Sequence, residues 1–537
     1  MLCALLCWIW SIINAVLLKI YEAIEIVVSF FFSPLPPTRT KDKFGHVAII
    51  GAGISGISSA SQLVSQGFQV TIFEASSETG GIWAHVNKTS GLQINSILYR
   101  FHPLVFWTAW YPHRDEILGN VRKIWNAYGL KDRTRFNTEV KKVERAPSSE
   151  KLEGQKGQSR WIINGNQSEV FDAVIATVGT CGKPKMIHLP GQENFKGKIV
   201  HSSQLDEVDF KGKNVLIVGG GASGVEALEL AAAKGANKPT IIARSDKWII
   251  PRTLVTDCIL SLNPFGREMP LSIITEFLLK KLHYRDLSEK MAPVEGFYTG
   301  TPIVNDEILR LVREGKADYQ RGDVIELKSN GIEWNARTRK QKKGTKGEKR
   351  FSKADVIVLA AGFERPSLDF LPKDLFPDDY KPPNMYLQVF PVEDWSICCT
   401  NSTFHNAIGT VGHIHIGIYA RILSVFLNDP STRPAPRDMR LWVDGIRWLK
   451  ENAPGGQLEF FTYMEMCIWF FLFVCLRVDR LKYMFYVLNG YGLWTVDPKT
   501  SKPSFRLTVS TLAYRIRYGL VSKNVDLVMN TPNDKTE

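Results

Sequence analysis

The chain has 537 residues, of which 44% are hydrophobic and 23% are charged, a composition typical of a folded protein with two or three domains. Its net charge of +13 is uneven, because nine Lys or Arg and one Glu between Arg337 and Lys353 supply +8 of it. This indicates a solvated hairpin loop, with contact to anionic lipid as the alternative, and argues against nucleic-acid binding. The eight cysteines form no C-x-x-C pair, which argues against a zinc site, a disulfide framework and a redox dithiol.

The N-terminal segment predicts a membrane anchor over residues 1–33, followed by a Pro-rich linker over residues 34–45. Leu2–Leu18 carries no charge, and a helix of that length rises about 26 Å, slightly less than the roughly 30 Å hydrocarbon core. The basic residues of the linker then place the rest of the chain in the cytosol by the positive-inside rule. A helix in the membrane plane is the alternative, because Lys19 and Glu22 can pair on one polar face.

A first β–α–β unit begins with the β-branched run HVAII, which leads into the loop GAGISG. Gly51 allows the tight turn, Gly53 lets the backbone approach a pyrophosphate, and Gly56 lets the helix pack closely on the strand. Glu74 ends the second strand, where a carboxylate accepts hydrogen bonds from ribose hydroxyls. The unit predicts a dinucleotide site at a helix N-terminus, and Ser55 of the same loop belongs to it.

A second unit, NVLIVGGGASG, repeats this spacing with Gly219, Gly221, Ser223 and Gly224. The residue that corresponds to the first unit's carboxylate is Arg244, which offers a bidentate fork to a ribose 2′-phosphate. The alternative is an ordinary surface arginine. The pair of units predicts FAD at the first loop and NADPH at the second. Two such sites indicate transfer of hydride from a nicotinamide to a flavin and argue against a simple dehydrogenase.

Together these motifs resemble the flavin-containing monooxygenases, class B flavoproteins that are related to Baeyer–Villiger monooxygenases. The resemblance covers roughly residues 47–429 and rests on both loops, on GGIW ending at Trp83, on FKGKIVHSSQLD (Phe195–Asp206) and on LAAGF (Leu359–Phe363). It implies an α/β fold with two Rossmann-like dinucleotide-binding domains, in which the NADPH domain interrupts the FAD domain, plus an N-terminal membrane helix.

The implied domains follow the order of the motifs. The predicted segments are 46–207 for the first part of the FAD domain, 208–353 for the NADPH domain with a helical insertion, 354–430 for the second part of the FAD domain, and 431–537 for an aromatic-rich C-terminal region. In that last region Met466–Leu476 has eleven uncharged residues, too few to span a bilayer, which predicts either a buried helix or a monotopic membrane patch. The expected location is the endoplasmic reticulum membrane, with the catalytic domain facing the cytosol.

The resemblance also implies which residues surround the flavin. Asn95 matches the family's asparagine at the flavin N5 edge, where an amide donates and accepts without carrying charge, and it is the predicted catalytic residue. Its neighbour Ser96, with Gly81 and Trp83 of GGIW, is predicted to bind the same cofactor. Val140 matches a strand whose backbone reaches the FAD adenine in relatives. A capping asparagine and a core tryptophan are the alternatives for Asn95 and Trp83.

The segment Gly409–Arg421 resembles the family's closing segment, with Gly412 near the flavin ring. His413 and His415 would share one face of a strand, but no third ligand accompanies them, so no metal site is predicted. Phe195–Asp206 is expected to connect the two domains, with a structural histidine rather than a general base.

The activity that the resemblance implies is NADPH-dependent insertion of one oxygen atom from O2 into a small organic substrate, at N or S, through a flavin C4a-hydroperoxide. The alternatives are Baeyer–Villiger oxidation of a ketone, an NADPH oxidase or flavin reductase, and a silent flavin-binding scaffold. Leu205 stands where the Baeyer–Villiger fingerprint has Trp and the N-oxidising enzymes have Tyr or Phe, so this position does not select a branch. The predicted partners are the substrate, O2 and the membrane, and the sequence carries no signal for an oligomeric state.

Overall fold

The computed structural model describes residues 2–35, 44–147, 158–254, 256–257, 272–297, 302–403, 414–452 and 462–506. The helices, in chain order, are α1 (Leu2–Phe32), α2 (Ile54–Ser65), α3 (Arg114–Ala127), α4 (Ala222–Ala233), α5 (Ser272–Leu278), α6 (Ser288–Met291), α7 (Glu307–Arg313), α8 (His415–Asn428), α9 (Pro436–Glu451), α10 (Thr462–Phe470) and α11 (Met484–Asn489).

The strands are numbered in the same way. They are β1 (His46–Ile50), β2 (Gln69–Phe73), β3 (Thr134–Arg135), β4 (Val143–Arg145), β5 (Trp161–Ile163), β6 (Ala173–Ala176), β7 (Lys198–His201), β8 (Asn214–Val218), β9 (Asn237–Ala243), β10 (Ile249–Ile250), β11 (Ile303–Val304), β12 (Asp318–Lys328), β13 (Gly331–Ala336), β14 (Glu348–Lys353), β15 (Val356–Leu359), β16 (Ile397–Cys398), β17 (Leu493–Val496) and β18 (Pro503–Arg506).

The chain forms two compact units, and each contains its own largely parallel sheet. The first unit comprises Met1–Ala84, Ser96–Thr180 and Pro366–Glu537, and the second comprises His85–Asn95 and Cys181–Arg365. The second unit is thus an insertion in the chain of the first. The predicted α/β class with two dinucleotide-binding sheets is confirmed.

The sheet of the first unit has five parallel strands in the order β16-β6-β1-β2-β3. Its central strand β1 is buried from Val47 to Ile50, and β6 is buried over its whole length. Such continuous apolar strands are typical of parallel sheets that are covered on both faces. Helix α2 packs against β1 and β2 and also against α8, which places its N-terminus at the carboxyl end of β1.

The sheet of the second unit has seven strands in the order β14-β13-β12-β9-β8-β15-β7. Five of these run parallel, from β12 to β7, and the antiparallel pairs β12–β13 and β13–β14 extend the other edge. The predicted Lys-rich hairpin is confirmed between β13 and β14. Arg337, the first residue of the predicted solvated loop, is not solvated. Its side chain is only 4% exposed, and its Nε lies 2.8 Å from Asp323 Oδ2.

The Phe195–Asp206 segment contributes β7, the edge strand of this second sheet, which pairs with β15. It is therefore a structural part of the second unit and not a connector ahead of it. Both β7 and β15 fall outside the predicted limits of the NADPH domain, 208–353. Sequence spacing missed this because parallel strands that neighbour each other in a sheet need not be neighbours along the chain.

Helix α1 has 31 residues, and three charged side chains follow its apolar first half. Among the described residues, no helix is both long and apolar enough to cross a membrane. The predicted single-span anchor is therefore not supported. The ion pair expected of the in-plane alternative is present, with Lys19 Nζ 2.8 Å from Glu22 Oε2.

The C-terminal segment Met466–Leu476 forms the end of α10 and a following π-helical turn. Trp469 is buried and stacks on Phe473 with ring centroids 4.3 Å apart. Phe471 and Leu476 on the same segment are exposed. The segment thus combines a buried face with an exposed apolar face.

The close contact between α2 and the end of β1 yields a stability prediction. A Cβ on Gly56 would lie 1.9 Å from the carbonyl oxygen of Gly51, so Gly56→Ala should lower the free energy of unfolding by about 1–3 kcal/mol. The matched control is Gly119→Ala in α3, whose Cβ would meet nothing within 4 Å and which should stabilise by roughly 0.5–1 kcal/mol. Thermal unfolding of both variants tests this, and equal stabilities would contradict it.

Candidate functional site

The first glycine loop connects β1 to α2 in the way that a dinucleotide site requires. Gly51 has φ +105°. Its carbonyl oxygen lies so close to residue 56 that any side chain there would clash with it, so only glycine fits. Gly53 is the N-cap of α2, and no side chain caps the helix there. The backbone of Gly81 approaches Gly53 closely, since a Cβ on Gly81 would lie 3.2 Å from the Gly53 Cα. The predicted residues Gly51, Gly53, Gly56 and Gly81 therefore converge around one helix N-terminus.

Glu74 lies at the end of β2 and its carboxylate reaches this loop. Its Oε2 accepts the backbone N–H of Ala52 at 2.6 Å, and its Oε1 accepts the N–H and hydroxyl of Ser76, both at 2.8 Å. Each oxygen retains acceptor capacity, because a carboxylate offers about four lone-pair sites. The carboxylate is thus fixed beside the loop, where the sequence predicts a ribose.

A buried polar chain that the sequence did not predict supports the start of α2. Asn401 Nδ2 donates to Ser55 Oγ at 2.8 Å, and Asn401 Oδ1 pairs with His415 Nε2 at 2.8 Å. Because that carboxamide oxygen can only accept, His415 carries its proton on Nε2. His415 begins helix α8, so the predicted strand is wrong at this position. Asn401 takes a left-handed backbone conformation with φ +55°, which asparagine tolerates better than most residues. The identity of this residue is the signal that the sequence offered.

Trp83 lies in the 3₁₀ turn Gly81–Ala84 and is half-buried. Its Nε1 donates to the Tyr99 hydroxyl at 3.1 Å, and its carbonyl accepts from Arg114 Nε at 3.1 Å. Val140 is also half-buried but lies in irregular chain between β3 and β4, so the predicted strand is absent there. Both side chains are thus partly exposed, and both lie within the first unit.

Asn95 and Ser96 are both buried, and their backbones are fixed by different partners. The N–H of Asn95 donates to Asp257 Oδ2 at 2.7 Å within the second unit. The N–H of Ser96 donates to the Trp110 carbonyl at 2.8 Å within the first unit. Asp257 was missed by sequence reasoning, since an aspartate 162 positions away gives no local signal.

The second glycine loop, between β8 and α4, has the same construction as the first. Gly219 has φ +120°, and a Cβ on Gly224 would lie 2.0 Å from the Gly219 carbonyl oxygen. Gly221 is the N-cap of α4, again without a side-chain cap, and a Cβ there would meet nothing within 4 Å. Ser223, in the first turn, is half-buried. The backbone is therefore open to a ligand at the position where the sequence predicts one.

Arg244 directly follows β9, as predicted, and its side chain is 75% exposed. Its Nε lies 3.6 Å from Asp323 Oδ1, a loose contact, and the Asp323 carboxylate also binds Arg337. Arg337 Nη2 donates to the Arg244 carbonyl at 2.6 Å, so it holds the backbone that carries Arg244. Sequence reasoning assigned Arg337 to a solvated loop and missed this contact.

His201 and Leu205 of the segment Phe195–Asp206 have structural partners within the second unit. His201 is buried and its Nε2 donates to the Gly362 carbonyl at 2.9 Å, while burial lowers its pKa, so the ring is neutral. Leu205 is fully buried, and its N–H donates to Asn87 Oδ1 at 2.8 Å. Asn87 Nδ2 donates to the Ser202 carbonyl at 2.7 Å, so one amide clamps both ends of this turn.

Gly412, which the sequence predicts to lie near the flavin ring, and His413 are outside the described residues. Within the described part of the chain, the residues that fit a bound dinucleotide fall into two groups, one in each unit. Each group has uncapped helix N–H groups and space kept open by glycine, which suit a pyrophosphate. The first group adds a carboxylate and the second an arginine.

Comparisons with known proteins agree with this geometry. The model of the family described as flavin-binding monooxygenase-like matches residues 44–400, which is 357 of the 537 residues. Flavin-containing monooxygenase 1 of Canis lupus familiaris is 26% identical over 374 residues, which cover 65% of this chain and 67% of that protein. A Baeyer-Villiger monooxygenase of Pseudomonas aeruginosa is 32% identical over 228 residues, which cover 40% of each chain.

A solved structure of an oxidized steroid monooxygenase bound to NADP shares the fold, with a TM-score of 0.61 and 17% identity over 80% of this chain and 97% of that one. This likeness shows that the fold is shared with a solved structure. The family match covers β1, both glycine loops, Glu74 and Arg244. The chain therefore belongs to the flavin-binding monooxygenase-like family, the FAD- and NADPH-dependent monooxygenases that its two glycine loops predict.

Proposed function

We propose that the chain binds FAD at the first loop and NADPH at the second, and that it inserts one oxygen atom of O2 at N or S of a small organic substrate. The observation that carries this proposal is the pairing of two loops of equal geometry with opposite charges, Glu74 after β2 and Arg244 after β9. Equal loops suit two pyrophosphates, while the opposite charges suit a plain ribose and a phosphorylated one.

The protein's own part in this reaction is to bind, orient and exclude water. The N-termini of α2 and α4 present N–H groups and positive dipole ends to the two pyrophosphates. Bound FAD, reduced by NADPH, supplies the activation of O2 that no side chain provides. Asn95 is placed in a buried loop by Asp257, and its amide offers an uncharged donor and acceptor to the flavin edge.

The carboxylate and the arginine select between the two nucleotides. Glu74 is held by the N–H of Ala52 in the loop and by the N–H of Ser76, so that its remaining lone pairs can accept from ribose hydroxyls, and it would repel a 2′-phosphate. Arg244 has most of its side chain in solvent and only a loose acidic contact, so its fork can turn to a phosphate. Arg337 holds the Arg244 backbone in place through its hydrogen bond to the Arg244 carbonyl.

Baeyer–Villiger oxidation of a ketone is the second candidate. Two observations favour it: the 32% identity to a Baeyer-Villiger monooxygenase over part of the chain, and the fold shared with a steroid monooxygenase. Leu205 does not decide between the branches, because its side chain packs in the interior of the second unit. The chemistry of the product separates the two candidates.

We further propose that α1 docks on a lipid bilayer surface. Trp8 and every residue from Ser11 to Leu17 are exposed, and six of these eight residues are apolar, with Ser11 and Asn14 as the polar exceptions. A largely apolar helix segment of this kind is stable where something apolar covers it. The segment carries no charge that would suit a polar protein partner, and Lys19 at its end is well placed for lipid headgroups. A bilayer is therefore the occupant that fits this surface.

A second exposed apolar surface adjoins the C-terminal end of α1. The Tyr491 hydroxyl donates to the Phe31 carbonyl at 2.9 Å, just beyond α11, on which Phe485 and Leu488 are exposed. This contact brings the apolar residues of α11 beside α1 within the first unit. The two surfaces together suit binding in the membrane plane.

The first prediction concerns the product. Incubation with NADPH, ¹⁸O₂, and a panel of amines, sulfides and ketones should yield N- or S-oxides that retain the carbon skeleton and carry one labelled atom, as read by mass spectrometry and NMR. Esters from the ketones alone would establish the Baeyer–Villiger alternative. Release of one peroxide per NADPH with every substrate would establish an oxidase and contradict both.

The second prediction concerns cofactor choice. Arg244→Ala should raise KM for NADPH by about 10- to 100-fold and leave KM for NADH unchanged, because a charged hydrogen bond contributes about 1.5–3 kcal/mol. The matched control is Lys342→Ala in the exposed hairpin, which removes the same charge from the same unit. Steady-state flavin reduction with both nucleotides measures this, and an unchanged NADPH preference would refute the 2′-phosphate assignment.

The third prediction concerns the membrane. The full chain should float with liposomes, and Val16→Asp combined with Ile20→Asp should abolish flotation because both side chains are exposed on α1. Val294→Asp, an equally exposed site on the second unit, is the control. Persistent flotation of the double variant would show that the bilayer is not the occupant. The same conclusion would follow if light scattering shows that the lipid-free wild-type chain is a dimer and that the double variant is a monomer.

A further inference from the structure

Helix α1 is built with its polar side inward. Over its second half the buried residues recur every four positions, which places them on one face, while apolar residues occupy the opposite, exposed face. The buried set is Tyr21, Glu25, Ser29 and Ser33, and the exposed set is Ile20, Ile24, Val27 and Phe31. A surface helix of a globular protein has the reverse pattern. The inward polar groups therefore need specific partners, and their partners locate the helix.

Glu25 is the centre of this inward face, with a fully buried carboxylate. Its Oε2 accepts the backbone N–H of Trp107 at 2.6 Å, and its Oε1 forms an ion pair with the Arg100 guanidinium. Arg100 Nη1 also donates to the carbonyls of Pro103 at 3.2 Å and Val105 at 3.0 Å. One carboxylate thus organises four points of the segment 96–110.

Tyr21 contacts the far end of the same segment. Its ring stacks on Trp110 with centroids 5.3 Å apart and an interplanar angle of 16°. The Trp110 carbonyl accepts the N–H of Ser96, which closes the segment into a loop. Two residues of α1, one turn apart, therefore contact this loop at its middle and at its end.

The loop begins at Ser96, which is proposed to bind FAD, and two other helices hold it as well. Tyr99 accepts from Trp83, and Phe101 accepts from Ser58 Oγ of α2. Asn120 of α3 exchanges two hydrogen bonds with the backbone of Phe106, at 2.9 and 2.8 Å. Helix α1 is the third support, and it is the only one of the three that contributes a buried ion pair to this loop among the described residues.

We propose that Glu25 is a positioning residue of the flavin site: through Arg100 and Trp107 it fixes the loop 96–110, so that docking of α1 shapes the pocket around the flavin. The functional part of this inference rests on the proposed placement of Ser96 and Trp83 beside FAD. The mechanical part, the fixing of the loop, rests only on contacts within the first unit. Helix α1 is then part of the oxygenase and not a removable tether.

The energetics of a buried ion pair make this contact sensitive to change. Removal of one partner leaves the other charge buried and unpaired, which is strongly destabilising. Burial raises the pKa of Glu25 to about 7, against the opposing effect of Arg100. The other titratable groups that face this carboxyl are Tyr21, Glu116 and Lys123.

The sign of the pH effect follows from that shift. The folded chain holds the Glu25 proton up to about pH 7, whereas an unfolded chain loses it at its ordinary pKa of 4.5, so this group's contribution to stability falls as pH rises between these values. The charged contacts to Arg100 and Trp107 are complete only above about pH 7. Desolvation nevertheless outweighs these contacts, so loss of the proton favours a state in which Glu25 is exposed, and the loop should be held most firmly below about pH 7.

Hydrogen exchange of the FAD-loaded full chain tests the proposal. Glu25→Gln should speed amide exchange in peptides of 96–110 by at least about tenfold, which corresponds to 1.4 kcal/mol of lost protection, and should speed FAD release measured by flavin fluorescence. Glu22→Gln, one turn earlier in the exposed Lys19 pair, should change neither. In the wild type, exchange corrected for its intrinsic rate should rise as pH rises from about 6 to 8, and Glu25→Gln, which cannot titrate there, should flatten this profile.

Equal exchange in Glu25→Gln and wild type would overturn the proposal, and so would faster exchange with unchanged FAD release and unchanged peroxide leakage per NADPH. If Glu25→Gln does not fold, Tyr21→Leu serves, because it removes only the ring that stacks on Trp110 and should speed exchange near that residue. Unchanged exchange there would also overturn the proposal. Absence of any oxygenated product would refute the proposed function while these exchange and flavin-release readouts remain valid.

Discussion

Both nucleotide sites depend on one constraint, the close approach of a helix to the end of the preceding strand. It occurs twice, between β1 and α2 and between β8 and α4. At Gly56 and again at Gly224 a Cβ would lie about 2 Å from the carbonyl oxygen of the glycine that ends the strand. This contact brings the helix N-terminus to the carboxyl end of the strand, where its unpaired N–H groups and dipole favour an anion. The family match and the proposed cofactors both follow from that arrangement.

Charge then differentiates two loops that geometry makes equal. Glu74 accepts one N–H of the first loop, that of Ala52, which fixes it where a ribose is expected, and the Arg244 backbone is held by Arg337. In flavin-dependent monooxygenases the cofactors supply the catalytic chemistry, so the protein contributes by positioning them and by excluding water. Residues that fix the backbone, Asp257 at Asn95 and Glu25 in the loop 96–110, therefore matter as much as the residues that would touch a cofactor.

Helix α1 combines two roles that sequence analysis treated as one. In its first half Trp8 and Ser11–Leu17 are exposed and largely apolar, which suits a lipid surface, while its second half directs Tyr21 and Glu25 into the first unit. A helix that reverses the usual polarity of a surface helix needs a partner on each side. A change in the lipid contact therefore has a physical route to the loop 96–110, through a single rigid helix.

The sequence by itself determined the class, because glycine spacing, a terminal acid and a terminal arginine are local features that a β–α–β unit places at one edge of a sheet. It predicted Gly51, Gly56, Glu74, Gly219, Gly224 and Arg244 in the positions that they occupy. It did not find Asn401, Asp257 or Arg337, and it placed the strand β7 in the wrong domain. Those contacts join residues far apart in the chain, and only tertiary packing decides them, as it decided that a glutamate in an apolar helix faces inward.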